Sequence, residues 1–191
     1  RSMRFAIVDI ETTGIHLSQD RIIEIGVIIV EGQKIEKTFT TLINPKQYIP
    51  KEISELTGIS TQDVADAPEF KDIADELIIL LKDCIFVAHN AAFDYAFIQG
   101  EFERIGITFH EKTLCTVRLS RKLFPQHPRH SLSHIIDRFK ITTEARHRAL
   151  ADAQAVWDFL QILPQHFSNE VIEDATKEII KTQRIPPQLT E

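Results

Sequence analysis

Asp9 and Glu11 lie two residues apart at the end of the short apolar run Phe5 to Ile10. On a strand that spacing sends both carboxylates from one face, at the C-terminal end where open α/β sheets place their ligands. Side by side they repel and resist desolvation. A divalent cation relieves both penalties, whereas an exposed strand end needs no ligand at all. Thr12-Thr13-Gly14 follows as a tight polar turn able to present backbone N–H groups to a phosphate or a nucleotide end. Asp94 closes the stretch His89-Asn90-Ala91-Ala92-Phe93-Asp94, after a second apolar run at Ile85 to Ala88. In the first turn of a helix it either complements the helix dipole or faces a ligand. Asp152 interrupts Ala149-Leu150-Ala151-Asp152-Ala153, where an unpaired charge is costly without a partner or a metal. His147 precedes it by five residues, about 140° around a helix. His147 therefore belongs on the loop ahead of the helix, swinging over a site that Asp152 faces.

These groups need a scaffold that brings strand ends and helix starts together. Phe5 to Ile10, Ile22 to Val30 and Ile35 to Ile43 read as strands, the last two separated by Glu31-Gly32. Short connections make such neighbours antiparallel. Pro50 to Leu56 reads as a short helix with Gly58 just past its end, and Pro68 to Lys82 has apolar residues on one helical face. Ile85 to Ala88 is a further buried strand, followed by a helix over about Ala92 to Ile105. Thr113 to Leu123 and Ser131 to Phe139 read as helices, the second capped by Ser131. Ala149 to Leu163, ended by Pro164, is the strongest helix, and Val171 to Ile180 is a weaker one. The sum is a mixed α/β sheet, three antiparallel strands and then parallel ones, flanked by helices.

The 191 residues suit one domain, and 43% hydrophobic with 26% charged residues is ordinary globular composition. Such a chain buries enough apolar surface to fold without disulfides or a structural metal. No apolar stretch is long enough to cross a bilayer, and no charged-then-apolar leader opens the chain, which predicts a cytoplasmic protein. Arg1-Ser2 before Met3 reads as a cloning remnant. Cys84 and Cys115 have neither CxxC nor zinc spacing and read as thiols of a reducing compartment. The net charge of −6 disfavours a general nucleic-acid binder. Yet Lys112 to Arg148 holds nine Lys/Arg against Asp137 and Glu144, a +7 segment that is either a solvated face or a phosphate track.

Asp-Ile-Glu-Thr-Thr-Gly (9–14), His-Asn-Ala-Ala-Phe-Asp (89–94) and His-Arg-Ala-Leu-Ala-Asp (147–152) resemble, in order, the three motifs of the DEDDh exonuclease family. The ending His-x4-Asp matches the branch that includes the proofreading epsilon subunits of bacterial DNA polymerase III. Ile49-Pro50, Ile53 and Leu56-Thr57-Gly58-Ile59 resemble the segment after that family's third strand. The resemblance covers about residues 4–163. It implies a ribonuclease H-like fold, an exonuclease domain over 3–182 with a tail or linker at 183–191, and removal of 5′-monophosphates from 3′ ends.

By the same resemblance Asp9 bridges two Mg²⁺ or Mn²⁺ ions. Glu11 and Asp152 help hold one, and Asp94 serves the other, partly through water. His147 is implied as the general base. The chemistry asks for this independently: hydrolysis of an anionic phosphodiester needs a water of lowered pKa and a cation at the leaving 3′ oxygen, and imidazole titrates near neutrality. Thr12, Thr13 and Gly14 are implied to hold the terminal nucleotide, with Leu56 and Phe93 around its base or sugar. Phe93 serves equally as core, and Asn90 either bonds the substrate or, the preferred reading, caps the following helix. The expected ligands are DNA 3′ ends, with the +7 segment as a phosphate track. A polymerase catalytic subunit is one expected partner. A fused GIY-YIG nuclease domain is another, suggested by Arg184-Ile185-Pro186-Pro187-Gln188-Leu189. An exoribonuclease and a catalytically silent binding module are the alternatives.

Overall fold

The structure is a computed structural model and describes residues 3–183. β1 (Arg4–Thr12), β2 (Ile22–Glu31) and β3 (Lys34–Leu42) form the expected antiparallel meander. β4 (Ile85–Ala88) joins the free edge of β1 in parallel, and β5 (Lys112–Cys115) joins β4 in the same sense. β6 (Lys181–Thr182) returns antiparallel along β5, giving the order β3-β2-β1-β4-β5-β6. The mixed α/β architecture anticipated from the pattern is therefore present.

Seven α-helices are described: α1 (Lys51–Thr57), α2 (Phe70–Leu81), α3 (Ala91–Arg104), α4 (Thr116–Leu123), α5 (Leu132–Phe139), α6 (Ala149–Ile162) and α7 (Asn169–Ile179). Gly58 ends α1 at φ +76°, where its N–H reaches the Ser54 carbonyl and a Cβ would be strained. Ser131 caps α5 by accepting from the His134 amide. Pro164 sits in a 3₁₀ turn, Leu163–Gln165, that finishes α6.

Two expectations need correction. The span Thr113 to Leu123 is not one helix: Thr113, Leu114 and Cys115 pair with Phe86, Val87 and Ala88, and the helix starts only at Thr116. A strand this short shows no alternation of its own, and the sheet edge left open by β4 captures it. Asn90 does not cap α3 with its side chain. It takes a left-handed backbone, φ 80° and ψ 59°, from which the side chain makes no cap bond. The tail beyond Gln183, including the linker-like Arg184 to Leu189, lies outside the described residues.

Alternation along β1 divides the core. Ala6, Val8 and Ile10 pack with Ile25, Val27 and Ile29 toward α2 and α3. Ile7, with Ile28, Val30 and Val87, packs toward α4, α5, α6 and α7. Asp9 and Glu11 continue the Ile7 side, so α6 lies over the face from which both carboxylates leave. A smaller cluster of Ile23, Ile49, Ile59 and Val64 anchors the segment around α1.

Candidate active site

The acids meet where β1 ends. Carboxylate oxygens of Asp9, Glu11 and Asp152 lie within 4.8 Å of one another. Asp94, buried at the start of α3, lines the same cavity, a space of about 750 Å³ that also takes in His147, Asn90 and Phe93. Burial is the first cause that raises each of these carboxyls above its ordinary value. It raises Asp9 well above the usual range, with Asp94, Glu11 and Asp152 adding repulsion. Burial, then Asp152 and Glu24, push Glu11 from 4.5 to about 8. Asp94 is raised by burial against the lowering effect of its own and Ile10's backbone N–H groups. Asp152 is raised by burial and pulled back by Arg146. Asp9 Oδ2 is sealed from water and has no hydrogen-bond partner among the described residues. Crowded carboxylates with an orphaned oxygen are a hard-cation donor set, so the residues present fit a divalent metal.

Asp152 reaches this cluster because β2 and α6 are locked together. Glu24, almost fully buried opposite Glu11, accepts from Arg148 Nε and Nη2 and from the Ala149 amide at 2.9 Å, closing the first turn of α6. Gly26 lets that turn press on the strand. A Cβ there would lie 2.5 Å from the Leu150 nitrogen and 2.7 Å from the Ala149 carbonyl carbon, both backbone atoms. His147 sits on the loop just before α6, as its five-residue spacing from Asp152 predicts, with φ at +64° and its amide donating to Asp152 Oδ2 at 3.2 Å. A left-handed histidine is uncommon and is held here by the contact it makes.

Arg146, just ahead of the His147 to Asp152 motif, donates to Asp152 Oδ1 at 2.6 Å. Arg118 and Arg121 from α4 and Lys181 from β6 line the same cavity. Other members of the basic segment are engaged elsewhere: Lys122 pairs with Glu178, and Arg138 donates to the Arg129 carbonyl. The cavity is also lined by a histidine pair, His130 buried and His89 half-buried. His89 Nε2 donates to the His130 carbonyl at 2.7 Å, so its Nδ1 accepts from Thr116 at 2.8 Å. Burial pushes His89 down to about 4, which keeps it neutral. His130 repeats the pattern with the His127 carbonyl and the Ser120 hydroxyl.

The Thr12-Thr13-Gly14 turn and Leu56 do not line this cavity. Thr12 donates to the Gly14 carbonyl, while Thr13 donates to Asp20 and accepts from the Arg21 amide. Their hydroxyls shape the loop that leaves Glu11. Leu56 is half exposed on α1. Glu24 and Gly26 carried a readable signal, a charge and a glycine inside an apolar strand. Arg146 carried none.

A family model described as "Exonuclease" (RNase_T) matches residues 6–160. A DNA polymerase III subunit epsilon of Aquifex aeolicus is 33% identical over 163 residues, covering 84% of this chain and 81% of that protein. A PolC-type DNA polymerase III of Caldanaerobacter subterraneus subsp. tengcongensis is 36% identical over 160 residues, 83% of this chain and 11% of that one. A Mycobacterium tuberculosis protein whose name pairs exonuclease with endonuclease is 35% identical over 179 residues, 89% of this chain and 28% of that one. The chain thus spans less than a third of the length of several relatives it matches. Among solved structures, exonuclease X in complex with 5′ overhanging duplex DNA superposes with TM-score 0.68 at 25% identity, covering 91% of this chain and 99% of that one. An exonuclease I structure gives 0.79 at 17% identity, over 90% of this chain and 43% of that one, a likeness of fold.

Proposed function

Because this chain belongs to the Exonuclease (RNase_T) family, we propose that it is a metal-dependent 3′→5′ exonuclease that shortens DNA from its 3′ end and releases nucleoside 5′-monophosphates. The observation that carries this reading is the convergence of Asp9, Glu11 and Asp152 within 4.8 Å, beside Asp94 and His147 in one cavity.

Asp9, Glu11, Asp94 and Asp152 would hold two divalent ions, Mg²⁺ or Mn²⁺. Such ions, when bound, neutralise the carboxylates, acidify the attacking water and stabilise the departing 3′ oxygen. His147 would take a proton from the attacking water at a ring nitrogen, imidazole being the side chain suited to general-base work at neutral pH. His89 is unsuited to the task, since both of its ring nitrogens are engaged within the wall. Arg118, Arg121 and Lys181 meet backbone phosphates as the strand enters. Phe93 and Asn90 border the terminal nucleotide. Thr12, Thr13 and Gly14, which continue the chain from Glu11, and Leu56 are assigned further substrate contacts by resemblance alone.

Residues 3–182 form the exonuclease unit, and the cytoplasm is its setting. Proofreading beside a polymerase catalytic subunit is supported by the epsilon-named relative, and repair beside a fused GIY-YIG nuclease domain by the exonuclease/endonuclease relative.

The test is a 5′-labelled single-stranded DNA and its RNA counterpart, incubated with Mg²⁺, Mn²⁺ or EDTA, for the wild type and Asp94→Ala. A metal-dependent ladder from the 3′ end of DNA, absent in the variant, is expected. A ladder on RNA alone makes the protein an exoribonuclease. No ladder on either, with metal bound, makes it a binding module.

A further inference from the structure

Arg146 directs its guanidinium into the acidic cluster and spans two elements. Nη1 donates to Asp152 Oδ1 at 2.6 Å, and Nη2 donates to Ser133 Oγ on α5 at 2.9 Å. The side chains of Arg146 and Asp152 are 24% and 6% exposed, so the cation enters from the wetter side and caps the buried acid. Asp152 Oδ2 meanwhile takes the His147 amide. Both oxygens of Asp152 are therefore engaged, while Asp9 Oδ2 in the same cluster has no partner among the described residues. Guanidinium stays charged at any working pH, so proton loss cannot free Asp152 from it.

We propose that Arg146 is a placeholder cation: it neutralises Asp152 in the metal-free protein and has to be displaced when a divalent ion takes that carboxylate. Two like charges cannot both draw on Asp152 inside a cluster 4.8 Å across without strong repulsion. The contact spares the fold a buried uncompensated acid, and it weakens metal affinity by the free energy needed to break it. This inference rests on the metal reading above and adds the residue that sets how tightly the metal is held.

Mn²⁺ binding is the readout, followed by the electron-spin signal of the free ion and by calorimetry, with no substrate present. Wild type, Arg146→Gln and Asp9→Ala are compared at about 0.05 M and about 1 M salt, the higher shrinking the screening length to about 3 Å. Arg146→Gln is expected to bind Mn²⁺ on the order of 10-fold more tightly, the equivalent of losing one charge-assisted hydrogen bond, and to keep that advantage at high salt. Equal or weaker binding by Arg146→Gln overturns the placeholder role. So does an advantage that vanishes at high salt, which marks mere through-space repulsion. A wild type that binds no Mn²⁺, like Asp9→Ala, overturns the metal reading itself. If Arg146→Gln does not fold, Ser133→Ala loosens the second anchor of the guanidinium and is expected to shift affinity the same way by a smaller factor; no shift overturns the proposal.

Discussion

Glu24 on β2 and Arg148, 124 positions further along the chain, form a forked ion pair whose shortest contact is 2.8 Å. The same carboxylate accepts the Ala149 amide at 2.9 Å. One buried side chain thus holds the start of α6 against the strand beside Glu11, and with it the position of Asp152.

The pair is asymmetric, and its variants will show it. Arg148 is 42% exposed at its side chain and Glu24 only 6%. Arg148→Met leaves a buried acid next to Glu11 with only an amide for company, and is expected to cost about 1–3 kcal/mol. Glu24→Gln leaves a solvated arginine and relieves repulsion on Glu11, so it costs less. The Arg148→Met/Glu24→Gln double variant is expected to be more stable than Arg148→Met alone. A double-mutant cycle by urea unfolding checks this, and additive losses would show that the fork is idle.

Gly26 supplies a sharper mechanical test. An alanine there drives its methyl into backbone atoms of Ala149 and Leu150, which cannot rotate away. The first turn of α6 has to lift, carrying Asp152 off the acids of β1. Gly26→Ala is expected to lower stability by about 1–3 kcal/mol and turnover by about 10²-fold, although it removes no catalytic group. Turnover equal to wild type in a folded Gly26→Ala would show that the helix tolerates the shift.

The proposed reacting groups separate by what they bind. Asp94→Ala and Asp152→Ala are expected to lose on the order of 10³-fold or more in turnover together with metal affinity. His147→Ala is expected to keep metal and DNA binding and to lose roughly 10²- to 10⁴-fold in rate. Calorimetric metal titration alongside single-turnover hydrolysis distinguishes them. Lost metal binding in His147→Ala would move that residue from proton transfer to scaffolding.

The sequence shows much of this site because its chemistry is at odds with its surroundings. A carboxylate inside an apolar helix marks Asp152, and two acids on one strand face mark Asp9 and Glu11. The same criterion marks Glu24 and Gly26 within the apolar run Ile22 to Val30, whose contacts lie 124 or so residues away and only folding reveals. Arg146 is legible by no such rule, being a charged residue in a polar loop until Asp152 is brought against it. The fold divides likewise. The long strands and helices show in their periodicity, whereas β5 is defined by pairing with β4, and the left-handed backbone of Asn90 by the turn into α3. Short or tertiary-imposed conformations leave no periodic trace.

The basic wall predicts a salt dependence. Arg118 and Arg121 stand three apart on α4 and both line the cavity. Each phosphate they neutralise releases condensed counterions, so removing either is expected to reduce the slope of log affinity against log salt by roughly 0.7 for single strands. Fluorescence anisotropy of a labelled oligonucleotide, with Ca²⁺ in place of Mg²⁺, measures that slope for Arg118→Gln and Arg121→Gln. An unchanged slope would place those arginines off the DNA path.

Stability of the metal-free protein should fall with rising pH. Glu11 is raised from 4.5 to about 8, chiefly by burial and then by Asp152 and Glu24. Between those values the unfolded chain has released a proton that the folded chain still holds, so linkage lowers the unfolding free energy as pH rises, levelling only above about 8. Asp9, Asp94 and Asp152 are raised too and act in the same sense. His89 works on the acid side. Held neutral with its pKa lowered from 6.5 to about 4, it costs stability as pH falls below 6.5. The range from about pH 6.5 to about 8 therefore isolates the carboxylates. In EDTA the melting midpoint is expected to decline across it, and Glu11→Gln, which cannot ionise, is expected to flatten part of that decline. Saturating Mg²⁺ is expected to stabilise the protein most at the alkaline end, where the carboxylates are readiest to bind it. A midpoint in EDTA that holds level or climbs over this range would mean that Asp9, Glu11 and Asp94 are ionised without a cation, and would remove the electrostatic case for a metal between them.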